Sequence, residues 1–407
     1  MFDSAQRQLI AYPTVGWKLS FMPIGSCFQR GPLLAMRPRS GVVIFMVVHS
    51  REEMITTAPN VASDRLLTVV VPAYNVDGYI EEALNSVLSQ QWIDSIEIVI
   101  IDDGSPDSTY AVAKGMAERD RGGHIRLVHQ ANIGISGARN AGLALVRTRY
   151  FTFLDGDDIY LPEFSSVVMP LLASGEWDMV EYNVTVIDDH SMRLKDIELV
   201  PPERAGGHSV DRSTLMHFAD RFHTFLWARV YKTELFPQDP FPLGQRYEDA
   251  AVLPSVYLRA RNVFQIAESL ICYRRRFGSI TQQSRLRDVH DLQKAGEEAL
   301  MHCNGGEHDE YWLTLFHHMF YRACHVAARV DRVSFDDALS TLNKMASDHR
   351  RALLSLPPQS GITHKPLEPF ELKLRVDRSI HRLKGQAKKV LRRSLDRQQR
   401  ARPLPKT

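Results

Sequence analysis

Apolar positions settle into a regular rhythm only from Leu66 onward. Leu66 to Val71 is apolar except for Thr68, the pattern of a strand buried on both faces. Ile80, Leu84, Val87 and Leu88 then recur at helical spacing, and Ile96 to Ile101 predicts a second, β-branched strand. Ile125 and Leu127 flank a polar residue and predict a third strand. Ala138, Ala141 and Leu145 predict a helix, and Tyr150 to Leu154 a fourth strand. Phe164, Val167, Val168, Leu171 and Leu172 mark a further helix, with Pro162 suited to its first turn and Pro170 expected to kink it. Strands alternating with helices predict an α/β domain built on a doubly wound, mainly parallel sheet.

On either side of this stretch the rhythm weakens. Residues 1–65 scatter Pro, Gly and Arg without sustained periodicity. They read as a poorly structured extension, or as sequence upstream of a true start at Met54. After about Asp189 a polar loop reaches roughly Ser209, and mixed elements run to about Ser284. Residues 288–356 carry a helical pattern that includes Tyr311, Leu315, His318, Met319 and Phe320. From Lys373 onward, thirteen Lys or Arg face two acidic residues, Asp377 and Asp396. Val376, Ile380, Leu383, Ala387, Val390 and Leu391 recur at helical spacing within that basic tail. Such a helix suits either an anionic membrane surface or plain solvent.

Composition narrows the class. The chain has 407 residues, more than one ordinary domain, and 44% apolar residues, enough for a sizeable core. A formal net charge of +2 argues against a nucleic-acid binder. Cys27, Cys272, Cys303 and Cys324 are widely spread and form no C-x-x-C pair, which fits a reducing cytoplasm. The apolar run Gly41 to Val48 is too short to span a bilayer and does not resemble a signal peptide. A cytoplasmic protein is expected, peripheral on the inner face of the membrane if the tail binds there.

The chemistry sits where strands end. In an open α/β sheet, ligands bind at the carboxyl edge. Pro72-Ala73-Tyr74-Asn75 follows the first strand, Asp102-Asp103-Gly104-Ser105 the second, and Asp155-Gly156-Asp157-Asp158 the fourth. Carboxylates crowded together repel unless a cation neutralises them, and hard oxygen ligands suit Mn2+ or Mg2+ shared with a substrate's phosphates. The same acidic turn would also serve to cap the following helix. Asp102-Asp103-Gly104-Ser105 reads as an Asx turn that presents a carboxylate to a base or ribose. Asn132-Ile133-Gly134-Ile135-Ser136-Gly137-Ala138-Arg139-Asn140-Ala141-Gly142 matches neither G-x-G-x-x-G nor a P-loop. As a loop entering a helix it can offer backbone N–H groups and Arg139 to an anion, or leave Arg139 on the surface. His317, His318 and His325 lie in an apolar helix away from these motifs and are expected to be structural.

Taken in order, the motifs from Thr68 to about Ile187 resemble the nucleotide-sugar-binding half of family 2 glycosyltransferases, which have the GT-A fold. These enzymes carry V-P-x-Y-N, D-D-G-S, N-x-G-x-x-x-A-R-N-x-G and D-x-D-D. All four stand here, the first as Val71-Pro72-Ala73-Tyr74-Asn75. The resemblance implies that Pro72, Tyr74 and Asp103 border the nucleotide and that Arg139 lies near the donor. It also implies that Asp157, with Asp155 or Asp158, meets the metal or donor sugar. Trp227 through Lys232, Tyr247-Glu248-Asp249, and Tyr273-Arg274 through Gly278-Ser279-Ile280-Thr281 are similar to the family's acceptor-side landmarks. The family places its catalytic base at Glu248-Asp249, which implies Asp249 as base and Glu248 and Trp227 as substrate contacts. Without the resemblance, Glu248-Asp249 reads first as a negative first turn of the helix running through Leu253.

The expected organisation is therefore an extension over 1–65 and a GT-A domain over 66–285, with donor and acceptor halves meeting at 187/188. A helical region over 286–360 and a basic tail over 361–407 follow. Processive members carry Q-x-x-R-W, whereas Gln282-Gln283-Ser284-Arg285 is followed here by Leu286, so a single-addition enzyme of bacterial type is expected. The expected activity is inverting, metal-dependent transfer from a nucleotide-diphosphate sugar to a glycan or lipid-linked acceptor in surface or exopolysaccharide synthesis. A sugar-nucleotide nucleotidyltransferase and a non-catalytic nucleotide-sugar-binding module are the alternatives.

Overall fold

The computed structural model describes residues 33–36, 44–47, 65–276, 284–331 and 333–356. Most of the 1–65 extension, the Gly278-Ser279-Ile280-Thr281 landmark, Gln282-Gln283 and the basic tail over 361–407 lie outside the described residues. The chain divides into two compact units, Met1–Ile55 and Thr56–Thr407. In the first, β1 (Leu33–Met36) pairs antiparallel with β2 (Ile44–Val47).

The second unit is built on a sheet that begins with β3 (Leu67–Ala73), β4 (Ile96–Asp102), β5 (Ile125–His129) and β6 (Tyr150–Phe153). β3 lies between β4 and β6 and β4 beside β5, all parallel. Every residue of β3 is buried, as its unbroken apolar run requires. Its one polar side chain, Thr68, is satisfied by Thr148 Oγ1 at 2.7 Å. The interleaved helices are α1 (Ile80–Leu88), α2 (Thr109–Arg119), α3 (Gly134–Leu143) and α4 (Phe164–Ser174). α1 buries Ile80, Ala83, Leu84 and Val87, one apolar stripe at helical spacing. α3 packs tightly on β3: a Cβ on Gly142 would come within 2.3 Å of Val70 Cγ1. Pro162 falls just before α4 rather than in its first turn, and α4 runs through Pro170.

Beyond residue 174 the sheet becomes mixed. β7 (Ile159–Tyr160), β8 (Met179–Asp188), β9 (Arg193–Ile197), β10 (Gly206–Ser209), β11 (Arg229–Lys232) and β12 (Asn262–Arg275) complete it. β11 inserts antiparallel between β6 and β8, while β12 runs parallel to β8. Between them lie α5 (Arg212–Arg221) and α6 (Glu248–Arg259). The parallel rhythm thus covers the first half, and the fading alternation after Asp189 reflects antiparallel and edge strands. α7 (Leu286–Met301), α8 (Asp309–Ala327) and α9 (Phe335–Ser355) form the helical region, in the same compact unit as the sheet. His318 stacks on Phe222 at 5.1 Å and His317 lies 4.6 Å from His349, packing roles that suit an apolar helix. Among the described residues, no helix is long and apolar enough to cross a membrane.

Candidate active site

Because β3, β4 and β6 are parallel, the loops after them leave the sheet at one edge. Backbone-to-side-chain bonds stitch the first two together. Asn75 N donates to Ser105 Oγ at 3.2 Å, Val76 N to Thr109 Oγ1 at 2.8 Å and Asp77 N to Asp107 Oδ2 at 3.1 Å. Pro72 is buried at the end of β3, and Tyr74 beside it is 46% exposed, an aromatic face open at the sheet edge.

Asp103 departs from the expected turn that presents its carboxylate outward. It is buried, its Oδ1 accepts from Gln130 Nε2 at 2.7 Å and Ile133 N at 3.0 Å, and its Oδ2 accepts from Gly134 N at 2.8 Å. The carboxylate therefore caps α3, where the N-terminal N–H groups favour an anion, and fixes the loop leading into it. Asp102, fully buried, holds His129 Nδ1 at 2.6 Å. Gly104 adopts φ +66, and a Cβ there would lie 2.9 Å from Asn132 N. A Gly104→Ala variant is expected to lose about 1–3 kcal/mol, from left-handed strain plus that clash. Thermal melting checks this, and an unchanged midpoint would remove the steric argument.

Arg139 is not a surface residue. It is 5% exposed, donates through Nη1 to Glu248 Oε1, and reaches Asp155 Oδ1 through Nη2 at 3.1 Å. Burial works against its charge, but Asp155, Glu248 and Asp249 outweigh it and hold its pKa above the ordinary value. One guanidinium thus joins the acidic turn after β6 to the first turn of α6.

Within that acidic turn the three carboxylates differ. Burial and the neighbouring Asp155 raise the pKa of Asp157, against the pull of Arg276, whose Nε lies 2.6 Å from Asp157 Oδ2. Asp158 has no exposed surface, and its pKa is pushed well up by burial and by Asp157 and Asp155. Its Oδ1 accepts from Arg274 N at 2.8 Å, and its Oδ2 has no hydrogen-bond partner among the described residues. Asp158 therefore lies beneath the turn instead of standing beside Asp157 as an exposed third ligand. β7 sets this arrangement: Ile159 pairs with Cys272 and Tyr160 with Ile271, which carries Arg274 and Arg276 alongside Asp157 and Asp158. Arg274, almost fully buried, also reaches Asp157 O at 3.0 Å and Glu82 Oε2 at 2.6 Å.

Among the described residues, no three His, Cys, Asp or Glu side chains group to hold a metal by themselves. Two mutually repelling carboxylates, Asp155 and Asp157, nonetheless fit Mg2+ or Mn2+. Such cations are commonly held by one or two carboxylates together with substrate phosphates.

On the acceptor side, Tyr247 at φ +59 turns the chain into α6, leaving Glu248 buried and Asp249 half-buried in the first turn. Burial raises the pKa of both, opposed in each case by Arg139. Asp249 Oδ2 accepts from Thr224 Oγ1 at 2.8 Å. Trp227, 5% exposed, stacks between Phe225 at 4.9 Å and Tyr273 at 5.2 Å, so its ring is packed rather than open. Sequence reasoning missed Thr224, which belongs to no motif, and Arg276. The second carried a signal: three arginines, Arg274-Arg275-Arg276, close an apolar strand opposite an acidic turn.

Residues 68–236 match the family model described as Glycosyl transferase family 2. The chain is 31% identical over 225 residues to the uncharacterized glycosyltransferase EpsJ of Bacillus subtilis, covering 53% of this chain and 63% of that protein. It is 29% identical over 249 residues to the glycosyltransferase GlyA of Streptococcus pneumoniae, covering 58% of this chain and 34% of that one. The chain thus spans 63% and 34% of the lengths of these two relatives. A crystal structure of S. aureus TarS 1–349 in complex with UDP-GlcNAc superposes with a TM-score of 0.56 at 17% identity, covering 72% of this chain and 84% of that one. At that identity the likeness is one of fold, and the fold is GT-A.

Proposed function

We propose that the chain is a family 2 glycosyltransferase, the family whose model residues 68–236 match, and that it moves a sugar from a nucleotide-diphosphate sugar to a glycan or lipid-linked acceptor, with inversion. The observation that carries this reading is Arg139, which ties the acidic turn at Asp155 to the acidic pair at Glu248-Asp249. Transfer with inversion needs those two acidic sites on opposite sides of the anomeric carbon.

Asp249 acts as base. It takes the proton of the acceptor hydroxyl as that oxygen attacks the anomeric carbon and the bond to the departing diphosphate breaks. Half-burial keeps its carboxylate poorly hydrated and therefore basic. Glu248, locked to Arg139, orients the first turn of α6 instead of titrating with substrate. Asp155 and Asp157 would hold Mn2+ or Mg2+, which when bound neutralises charge developing on the leaving diphosphate. Arg276 stands beside Asp157 as a fixed positive group facing the same anion. Pro72 and Tyr74 border the nucleotide, while Asp103 shapes its loop from beneath. Surface or exopolysaccharide synthesis is the setting proposed for the product.

A thermal-shift screen of UDP-, GDP- and dTDP-sugars with Mn2+ or with EDTA tests the donor site. One nucleotide class is expected to raise the midpoint only with metal, and Asp157→Ala to abolish that rise. A rise that persists in Asp157→Ala would remove Asp157 from the site. Formation of a nucleotide-sugar from a sugar phosphate and a nucleoside triphosphate would instead favour the nucleotidyltransferase alternative. Donor binding with neither hydrolysis nor transfer would favour a binding module.

A further inference from the structure

We propose that Thr224 is a positioning residue for the reaction, aiming the Asp249 carboxylate from a loop that a buried arginine clamps in place. This rests on the reading of Asp249 as base.

Both oxygens of Asp249 are engaged from within the chain. Oδ1 accepts from Ala250 N at 2.8 Å, in the same helical turn, and Oδ2 accepts from Thr224 Oγ1 at 2.8 Å. A carboxylate can only accept, so the threonine hydroxyl must donate. The helix alone would fix one oxygen; the second contact stops rotation about the Cβ–Cγ bond and sets the plane of the carboxylate.

Thr224 is itself held. It is buried in the segment between α5 and β11, outside both elements. On alternate residues the rings of His223, Phe225 and Trp227 stack on one another, at 5.6 and 4.9 Å. Thr224, between the stacked rings of His223 and Phe225, reaches instead to Asp249 at the start of α6. The carbonyls on either side of it are both taken by Arg229: His223 O by Nη2 at 2.9 Å and Phe225 O by Nη1 at 2.8 Å. Arg229 is 1% exposed and is clamped by Glu181 of β8 and, at 3.1 Å, by the Tyr257 hydroxyl. Tyr257 belongs to α6, the helix that begins at Glu248-Asp249. The helix that carries the base therefore also anchors the clamp that holds its hydrogen-bond donor. A surface threonine capping a stray carboxylate would need none of this.

The charged groups facing Asp249 are Glu248 on its own turn, Arg139 from α3 and Arg322 from α8, with the Tyr247 hydroxyl nearby. Burial opposes its ionised form, while the arginines favour it. The Thr224 hydroxyl favours the ionised form. Removing it must raise the pH below which the base is protonated and idle.

The test compares Thr224→Val, Thr224→Ser and Asp249→Asn, each first checked for an unchanged melting midpoint. The probe is nucleoside diphosphate release from UDP-GlcNAc, UDP-glucose and GDP-mannose with Mn2+, water serving as acceptor. Thr224→Val is expected to lower kcat about 10- to 100-fold, the range for a hydrogen bond to a charged group. Donor KM should change little, the acid limb of the kcat–pH profile should move upward by about one unit, and Thr224→Ser should restore both. A difference infrared titration of each variant against Asp249→Asn reads the same carboxylate without turnover. Wild-type kcat and an unmoved carboxylate titration in Thr224→Val, with Asp249→Asn inactive, would overturn the inference and leave the base standing. An active Asp249→Asn would remove the base and the inference with it. Should Thr224→Val not fold, Thr224→Ala against Thr224→Ser carries the same comparison.

Discussion

Asp249→Asn is expected to lower kcat by about 10²- to 10⁴-fold while leaving donor binding and the melting midpoint nearly unchanged, because it removes a general base and little else. Asparagine keeps the shape of the side chain: its amide oxygen can accept from the Ala250 amide, and its NH2 can donate to the Thr224 hydroxyl oxygen, which accepts as well as donates. What it cannot do is take a proton at neutral pH. The pH profile sharpens the expectation. Burial raises the pKa of Asp249 above the ordinary carboxylate value, more than Thr224 and Arg139 lower it. A base works only when deprotonated, so kcat should fall as pH drops through that raised value, on a limb lying above the usual carboxylate range of about 4. In Asp249→Asn the residual activity should lose this limb. Steady-state kinetics from pH 4 to 9 check both parts. A full-strength variant, or one that keeps the limb, would move the base elsewhere, with Glu248 the next carboxylate to test. Glu248 is a poorer candidate on geometry, since its carboxylate is already committed to Arg139 inside the protein.

The contrast between Asp249 and Thr224 explains how much could be read from the chain alone. The first half of the sheet was legible because its strands are buried on both faces, so composition marks them directly, as in Leu67–Ala73 and Ile96–Asp102. The polar clusters were legible because parallel strands must deliver their ends to one edge. What those clusters do was less so. Asp103 reads as an outward-facing carboxylate, yet Gln130, Ile133 and Gly134, from a loop some thirty positions on, take both its oxygens. Arg139 reads equally as a surface residue until Asp155 and Glu248, 16 and 109 positions away, close around it. Thr224 has no local signature at all. It lies in an irregular segment, and its role exists only because a separate helix arrives beside it. The second half of the sheet was obscured in a different way. β11 has four residues and β10 four, too short to display a period, and their antiparallel pairing breaks the strand–helix rhythm.

The largest loss of stability is expected from Glu181→Leu, at about 3–5 kcal/mol, because it strands the buried Arg229 guanidinium without its carboxylate. Glu181 accepts from Arg229, from the Tyr257 hydroxyl at 2.9 Å and from Gln265 Nε2 at 2.8 Å, all within the core. Arg229 holds its pKa above the ordinary value, and Glu181 holds its own below, despite complete burial, because each answers the other. Leucine fills the space and answers none of the three donors. For a domain of this size the midpoint should fall by on the order of 10 °C, which calorimetry or circular dichroism would read. The double variant Glu181→Leu with Arg229→Met separates stability from function. Replacing a buried pair with apolar side chains of similar volume is often neutral, so most of the lost stability should return. Activity should not return with it. Methionine offers no donor to the carbonyls of His223 and Phe225, so the segment carrying Thr224 loses its clamp even in a well-packed core. A double variant that is both stable and fully active would show that Arg229 serves the core alone. One that is stable but slow, with donor KM unchanged, would tie this buried pair to the aim of Asp249.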